Sequence, residues 1–352
     1  MAITTGLDRD AISRVDLSDQ LADVLAMPEH LRDAVFKAEA AALETVDSPG
    51  GLVVAGMGGS SIGGRLARAI LGDTCSRPVL AARSYELPPW TTPETTVLCS
   101  SYSGNTEETL ACYEAAGALG ARRVVATSGG QIAELARKEG VQVIPIAGGL
   151  QPRAAVAYMT VAALEAAQHA GAGPGITYEL DVAAEHLDRL VGEWGPDAPE
   201  DALPKQLARA LYERVPLVAG AGLTAPIAYR WKTQLNENAK IPAFSHELPE
   251  HGHNELVGWE GSPELGSFAA VFLEDSDSHP RIARRVELTA ALISERGGEV
   301  HRVATVGETT AERVFSGVLL GDLVSLYLAV LRGVDPGPVD VIEALKGELA
   351  SQ

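Results

Sequence analysis

The sequence predicts an α/β fold built from two similar halves, each a mainly parallel sheet flanked by helices in three layers. Three observations lead there. Short apolar runs recur along the chain, separated by loop- or helix-length segments, which is the alternation of a parallel sheet wrapped by helices. A length of 352 residues exceeds what one core usually supports, so two units are expected. The run VPLVAGAGL repeats GLVVAGMGG, with Val218, Ala219, Gly220 and Gly222 matching Val54, Ala55, Gly56 and Gly58, which reads as an internal duplication.

Residues 1–48 carry apolar side chains at helical spacing up to about Glu44 and form an N-terminal helical segment. Residues 49–170 form the first α/β unit, with strands in GLVVAGMGG, RPVLAA, TTVLCS, RRVVATS and VQVIPI. Residues 171–204 turn to Gly, Pro and acidic composition in GAGPGITYEL and GEWGPDAPEDALP around the helical stretch AAEHLDRLVGEW, and read as a linker with a helix. Residues 205–352 form the second unit, with strands in VPLVAGAGL, FAAVFLE and EVHRVAT and a C-terminal helix. The apolar run VFSGVLLGDLVSLYLAVLRG is long enough to cross a bilayer, but Asp322 near its middle is costly in lipid, so a buried helix is expected.

A net charge of −19 repels phosphate backbones and anionic headgroups, which excludes nucleic acid and membrane as partners. An anionic small ligand is still accommodated where backbone N–H groups converge. Cys75, Cys99 and Cys112 are odd in number, lack CxxC spacing and lie in or beside apolar segments, as buried free thiols of a reducing cytosol do. The opening MAITTGLDRDAISRVDL has no basic and apolar leader pattern, so a cytoplasmic location is expected.

Two loops carry ligand-binding chemistry. GMGGSSIGG, Gly56 to Gly64, follows a strand and precedes a helix, so a ligand can approach its backbone closely. A dinucleotide fingerprint needs a third glycine and an acid at the end of the second strand; Ser61 and Arg83 stand there instead, and no cofactor is expected. SSYSGNTEET places Ser101, Ser103 and Thr106 around Gly104 at the end of a strand, with Glu107 and Glu108 starting a helix. One hydroxyl suffices to cap a helix, and three in six residues point to a phosphate cradle. Neither Ser101 nor Ser103 has the GxSxG context of a nucleophile elbow.

The segment QLNENAKIPAFSHELPEHGHNE gathers His246, His251 and His253 among Glu237, Glu247, Glu250 and Glu255. His246 and His251 are five apart across Pro249, neither an HExxH motif nor one face of a helix, so no metal site is expected and the two read as surface or supporting residues.

Taken in order, GMGGSSIGG, SYSGNTEET, ATSGG, QPRAAVAY and NENAKIP followed by HGHNE resemble the archaeal and bacterial bifunctional phosphoglucose/phosphomannose isomerases, a branch of the sugar isomerase (SIS) superfamily, from about Gly51 to Lys346. The resemblance implies two SIS-type subdomains of flavodoxin-like, three-layer form and a homodimer. It implies a sugar-phosphate substrate, with Gly58, Gly59, Ser60, Ser101, Ser103 and Thr106 around the phosphate. It further implies that Arg153 stabilises an enediolate, that Glu237 is the base, and that His253 opens the sugar ring from the neighbouring subunit, helped by Lys346.

The chemistry is intelligible from the residues themselves. Interconverting fructose 6-phosphate and glucose 6-phosphate moves a proton between C1 and C2, which one carboxylate beside both carbons can carry without a metal. A guanidinium stabilises the anionic enediolate more than the ground state, and a histidine moves protons near neutrality, as ring opening requires. Family members acting on mannose 6-phosphate carry a threonine near the C-terminal lysine, whereas here no Ser or Thr stands between Ser325 and Ser351, so the mannose epimer lacks that support. Two other readings share the cradle: a non-catalytic SIS protein that binds a phosphosugar, and an isomerase or deglycase of amino or other phosphosugars.

Overall fold

Helical spacing at the N-terminus becomes α1 (Arg9–Ser13), α2 (Gln20–Leu25) and α3 (Met27–Ala40), and α3 turns Leu31, Ala34, Val35 and Ala38 inward as one apolar stripe. The computed structural model describes residues 6–350.

The first sheet follows, through β1 (Leu52–Ala55), α4 (Gly58–Leu71), β2 (Val79–Ala82), β3 (Thr96–Ser100), α5 (Glu107–Leu119), β4 (Arg122–Thr127), α6 (Gly130–Glu139) and β5 (Gln142–Pro145). All pairs are parallel and the order is β2-β1-β3-β4-β5, that of the flavodoxin-like doubly wound sheet. Side chains alternate across the sheet. Leu52, Val54 and Leu98 join the main core, while Val53, Val97 and Cys99 pack on Cys112, Tyr113 and Ile132 behind it. Both faces are covered, which is why these strands read as unbroken apolar runs.

Next come α7 (Val156–His169) and α8 (Thr177–Trp194). The latter buries Leu180, Ala184, Leu187 and Leu190, so residues 171–204 supply core as well as joining the two sheets.

The second unit runs α9 (Leu203–Leu211), β6 (Val215–Gly220), α10 (Thr224–Glu237), β7 (Phe244–Glu247), α11 (Ser262–Leu265), β8 (Phe268–Glu274), α12 (Pro280–Glu295), β9 (Glu299–Ala304), α13 (Thr310–Arg332) and α14 (Asp340–Ala350). Its parallel sheet, β7-β6-β8-β9, repeats the first order short of the last strand, so the duplication read from nine residues extends to topology. Helix α13 begins with a Thr309–Glu312 capping box and is buried along nearly all of its length. It is long and apolar enough to span a bilayer, yet it lies inside the protein, with Asp322 paired to Arg230.

All three cysteines are free thiols; Cys99 and Cys112 are buried, and Cys75 is only partly covered.

Candidate active site

In a doubly wound sheet the strand order reverses at one point, and the crevice beyond the strand ends there is the natural ligand site. Here it opens between β1 and β3, whose ends carry the two loops singled out above. Gly58 opens α4 at φ +50, and a Cβ there would meet no neighbour within 4 Å, so the loop faces open space. Gly59 is hemmed in instead: a Cβ would come within 2.7 Å of the Pro152 carbonyl oxygen.

Opposite, the buried Ser101 hydroxyl shares a hydrogen bond of 2.8 Å with that of the half-buried Thr106, and Ser101 Oγ accepts from the Gly104 N–H at 3.1 Å. Gly104 has φ +70, and a Cβ would collide with the Gly129 carbonyl, so no other residue fits this turn. Ser60 Oγ accepts from the Tyr102 N–H at 3.2 Å, tying the two loops together, while Ser103 is exposed at the rim. Neither Met57 nor Thr106 caps its helix through a side chain. The leading N–H groups of α4 and α5, with their positive dipole ends, are therefore left for an anion.

The contact of Gly59 with Pro152 places Arg153 directly behind this cradle. Arg153 is buried and fixed by three hydrogen bonds: Nε donates to Asn238 Oδ1 at 2.8 Å, and Nη2 donates to the carbonyls of Pro336 at 2.7 Å and Gly337 at 3.0 Å. Nη1 is left over and faces Glu237 Oε2 at 3.7 Å, too far for a hydrogen bond and close enough for strong attraction. Burial pushes the guanidinium below its ordinary pKa while Glu237 pulls the other way, and an arginine stays charged under such shifts.

Glu237 ends α10 with its carboxylate partly exposed. The chain then bends away at Lys240, which has φ +54 and donates to the carbonyls of Glu237, Pro336 at 3.1 Å and Pro338 at 2.7 Å. The loop before α14 is thus held by Arg153 and Lys240 together.

Sequence reasoning missed the frame behind Arg153. Asn238 donates to Ser325 at 2.9 Å, and Ser325 donates to the Asp322 carbonyl at 2.7 Å. The Asp322 carboxylate accepts two bonds from Arg230, at 3.0 and 2.6 Å, and Arg230 returns to the Arg153 carbonyl at 2.9 Å. The ring is closed and buried. Its one advance sign was a carboxylate in an apolar run, which demands a charged partner.

His253 and Lys346 are exposed, and neither makes a hydrogen bond or ion pair among the described residues. Within one chain the structure brings Arg153 beside Glu237 and the cradle, and among the described residues no hydrogen bond or ion pair joins His253 or Lys346 to them.

His246 and His251 correct an expectation. His251 is buried, the His246 side chain is mostly covered, and their rings meet edge to face with centroids 5.4 Å apart, Glu255 lying against the first. A helix could not have joined them. A strand end folding back through the turn at Glu250–His253 does, because β7 carries His246 and the turn brings His251 over it.

Residues 200–349 match the family described as the bacterial phospho-glucose isomerase C-terminal SIS domain. The bifunctional phosphoglucose/phosphomannose isomerase of Caldicellulosiruptor bescii is 42% identical over 85% of this chain and 89% of its own length. The chain belongs to the bifunctional phosphoglucose/phosphomannose isomerase family. The family's enzyme from Aquifex aeolicus is 36% identical over 85% of this chain and 90% of its own. The crystal structure of a hypothetical protein from Thermus thermophilus shares the fold, with a TM-score of 0.72 at 20% identity over 97% of this chain and 94% of that one. For a member of this isomerase family, an anion cradle beside a facing carboxylate and guanidinium suits a phosphorylated sugar.

Proposed function

We propose that the protein interconverts fructose 6-phosphate and glucose 6-phosphate through an enediolate. The observation that carries the reading is Arg153, whose loop touches Gly59 of the cradle on one side while its free Nη1 faces Glu237 on the other. The phosphate sits on Gly58, Gly59, Ser60, Ser101, Ser103 and Thr106. Glu237 takes the proton from C2 of the open aldose and returns it to C1, while the hydroxyl proton moves between O1 and O2. Arg153 balances the charge of the intermediate. Its position is set before substrate arrives, so little reorganisation is needed in the transition state.

His253 opens the sugar ring, helped by Lys346, and both come from a second copy of the chain in a homodimer. The exposure of both side chains supports this, as does the surface of α14, where Val341, Leu345 and Leu349 recur at helical spacing uncovered. The division into subdomains at 49–170 and 205–352, and a place in a reducing cytosol, belong to the same reading. Mannose 6-phosphate is the second substrate, which the names of the bifunctional relatives support, although the loop at 333–339 carries only Gly, Val, Asp and Pro and lacks the threonine of members that act on it.

The experiment is turnover of fructose 6-phosphate with glucose and mannose 6-phosphates detected separately. Glucose 6-phosphate as a product is expected, and binding without turnover would replace an enzyme by a phosphosugar-binding protein.

A further inference from the structure

Among the described residues, three side chains outside the crevice bring ligand-type atoms to one point: His246, His251 and Glu255, all within 4.8 Å of one another. They come from the end of β7 and from the two tight turns that follow, Glu250–His253 and Glu255–Glu260. Asn254 fixes the junction, its Oδ1 accepting from the Glu255 N–H at 2.6 Å and its Nδ2 donating to Glu250 at 2.7 Å. Phe272 walls the site from the sheet, its ring centroid 6.4 Å from that of His251.

Two ring nitrogens here are unsatisfied. His246 Nδ1 pairs with the Glu255 carboxylate, whereas His246 Nε2 and His251 Nδ1 are buried and have no hydrogen-bond partner. Burying such groups unpaired forfeits their hydration and gives nothing in return. A histidine pair packed edge to face beside a carboxylate gains little as plain core.

We propose that His246, His251 and Glu255 form a divalent cation site of the zinc class. Two imidazole nitrogens and one carboxylate oxygen are a common zinc donor set, and tetrahedral ligation at about 2.1 Å draws such atoms to about 3.4 Å of one another. Side-chain rotation closes the gap, and water takes the fourth position. The acidic chain favours cation uptake. His253 lies two residues from His251 and two from Glu255. A bound ion therefore staples the loop that presents His253 outward, a positioning role; that consequence rests on the function assigned to His253 above, whereas the cation site does not.

The test uses the full chain, stripped with chelator and titrated with Co²⁺ and then Zn²⁺. One Co²⁺ per chain with intense tetrahedral ligand-field bands is expected, displaced by Zn²⁺, with affinity at least about tenfold weaker in Glu255→Gln and in His246→Ala. Circular dichroism checks that the variants fold. No stoichiometric uptake, or uptake that both folded variants retain, overturns the site. Hydrogen exchange over residues 246–260 reads the staple without reference to turnover: it slows when Zn²⁺ binds, and uptake with unchanged exchange overturns the positioning role alone.

Discussion

The Nη1 atom of Arg153 stands 3.7 Å from Oε2 of Glu237, and the rest of that guanidinium is tied by hydrogen bonds to Asn238 and to the carbonyls of Pro336 and Gly337. Arg153 is thus locked by three hydrogen bonds, with Nη1 left toward Glu237.

The lock depends on Asn238. Asn238→Ala removes the acceptor at Nε and lets the guanidinium swing, and misplacement by about 1 Å costs up to 10²-fold. The expected result is a fall in kcat of about 10- to 100-fold with an unchanged unfolding midpoint to within a few degrees. Steady-state kinetics beside thermal unfolding reads both.

Behind it, the Arg230–Asp322 pair is buried and bidentate. Asp322→Leu strands a buried guanidinium and is expected to destabilise by about 3–5 kcal/mol. Adding Arg230→Met removes that stranded charge and recovers most of the stability in denaturant unfolding. Turnover does not recover, because the bond from Arg230 to the Arg153 carbonyl is lost as well.

If His253 crosses between subunits, two inactive variants rescue each other. Mixing Glu237→Gln with His253→Ala after subunit exchange gives hybrid dimers with one complete site, about a quarter of wild-type activity at random assortment. No recovery would return His253 to its own chain.

Acid sensitivity follows from His186. Its ring is buried, and burial pushes its pKa below the ordinary value despite the opposing pull of Glu312. The unfolded state, near the usual 6.5, then binds more protons, so stability is present above that value and falls as pH drops through it. The unfolding temperature is expected to fall from pH 7 to pH 5, and less steeply in His186→Gln.

The topology was legible because both sheets are covered on two faces: Val53 and Val54 point opposite ways and are both buried, so the strand reads as an apolar run. The cradle was legible for a related reason, since Gly58 and Gly104 occupy left-handed turns that few other residues accept. Pairings distant in sequence were not. Nothing near Asn238 announces Ser325, and Asp322 shows only that some cation must reach it, not that Arg230 does. Helical spacing sets His246 and His251 apart, while the structure joins them through a strand end and a turn. The roles proposed for His253 and Lys346 rest on resemblance, because an exposed position within one chain carries no sign of a catalytic task.

The central claim is that Glu237 carries the proton. Glu237→Gln keeps shape and hydrogen bonding but cannot accept a proton, so isomerisation of fructose 6-phosphate is the measurement, with binding of the substrate followed separately by calorimetry. The account predicts unimpaired binding and a loss of about 10²- to 10⁴-fold in kcat. Turnover within about twofold of wild type, from a folded variant, would contradict it.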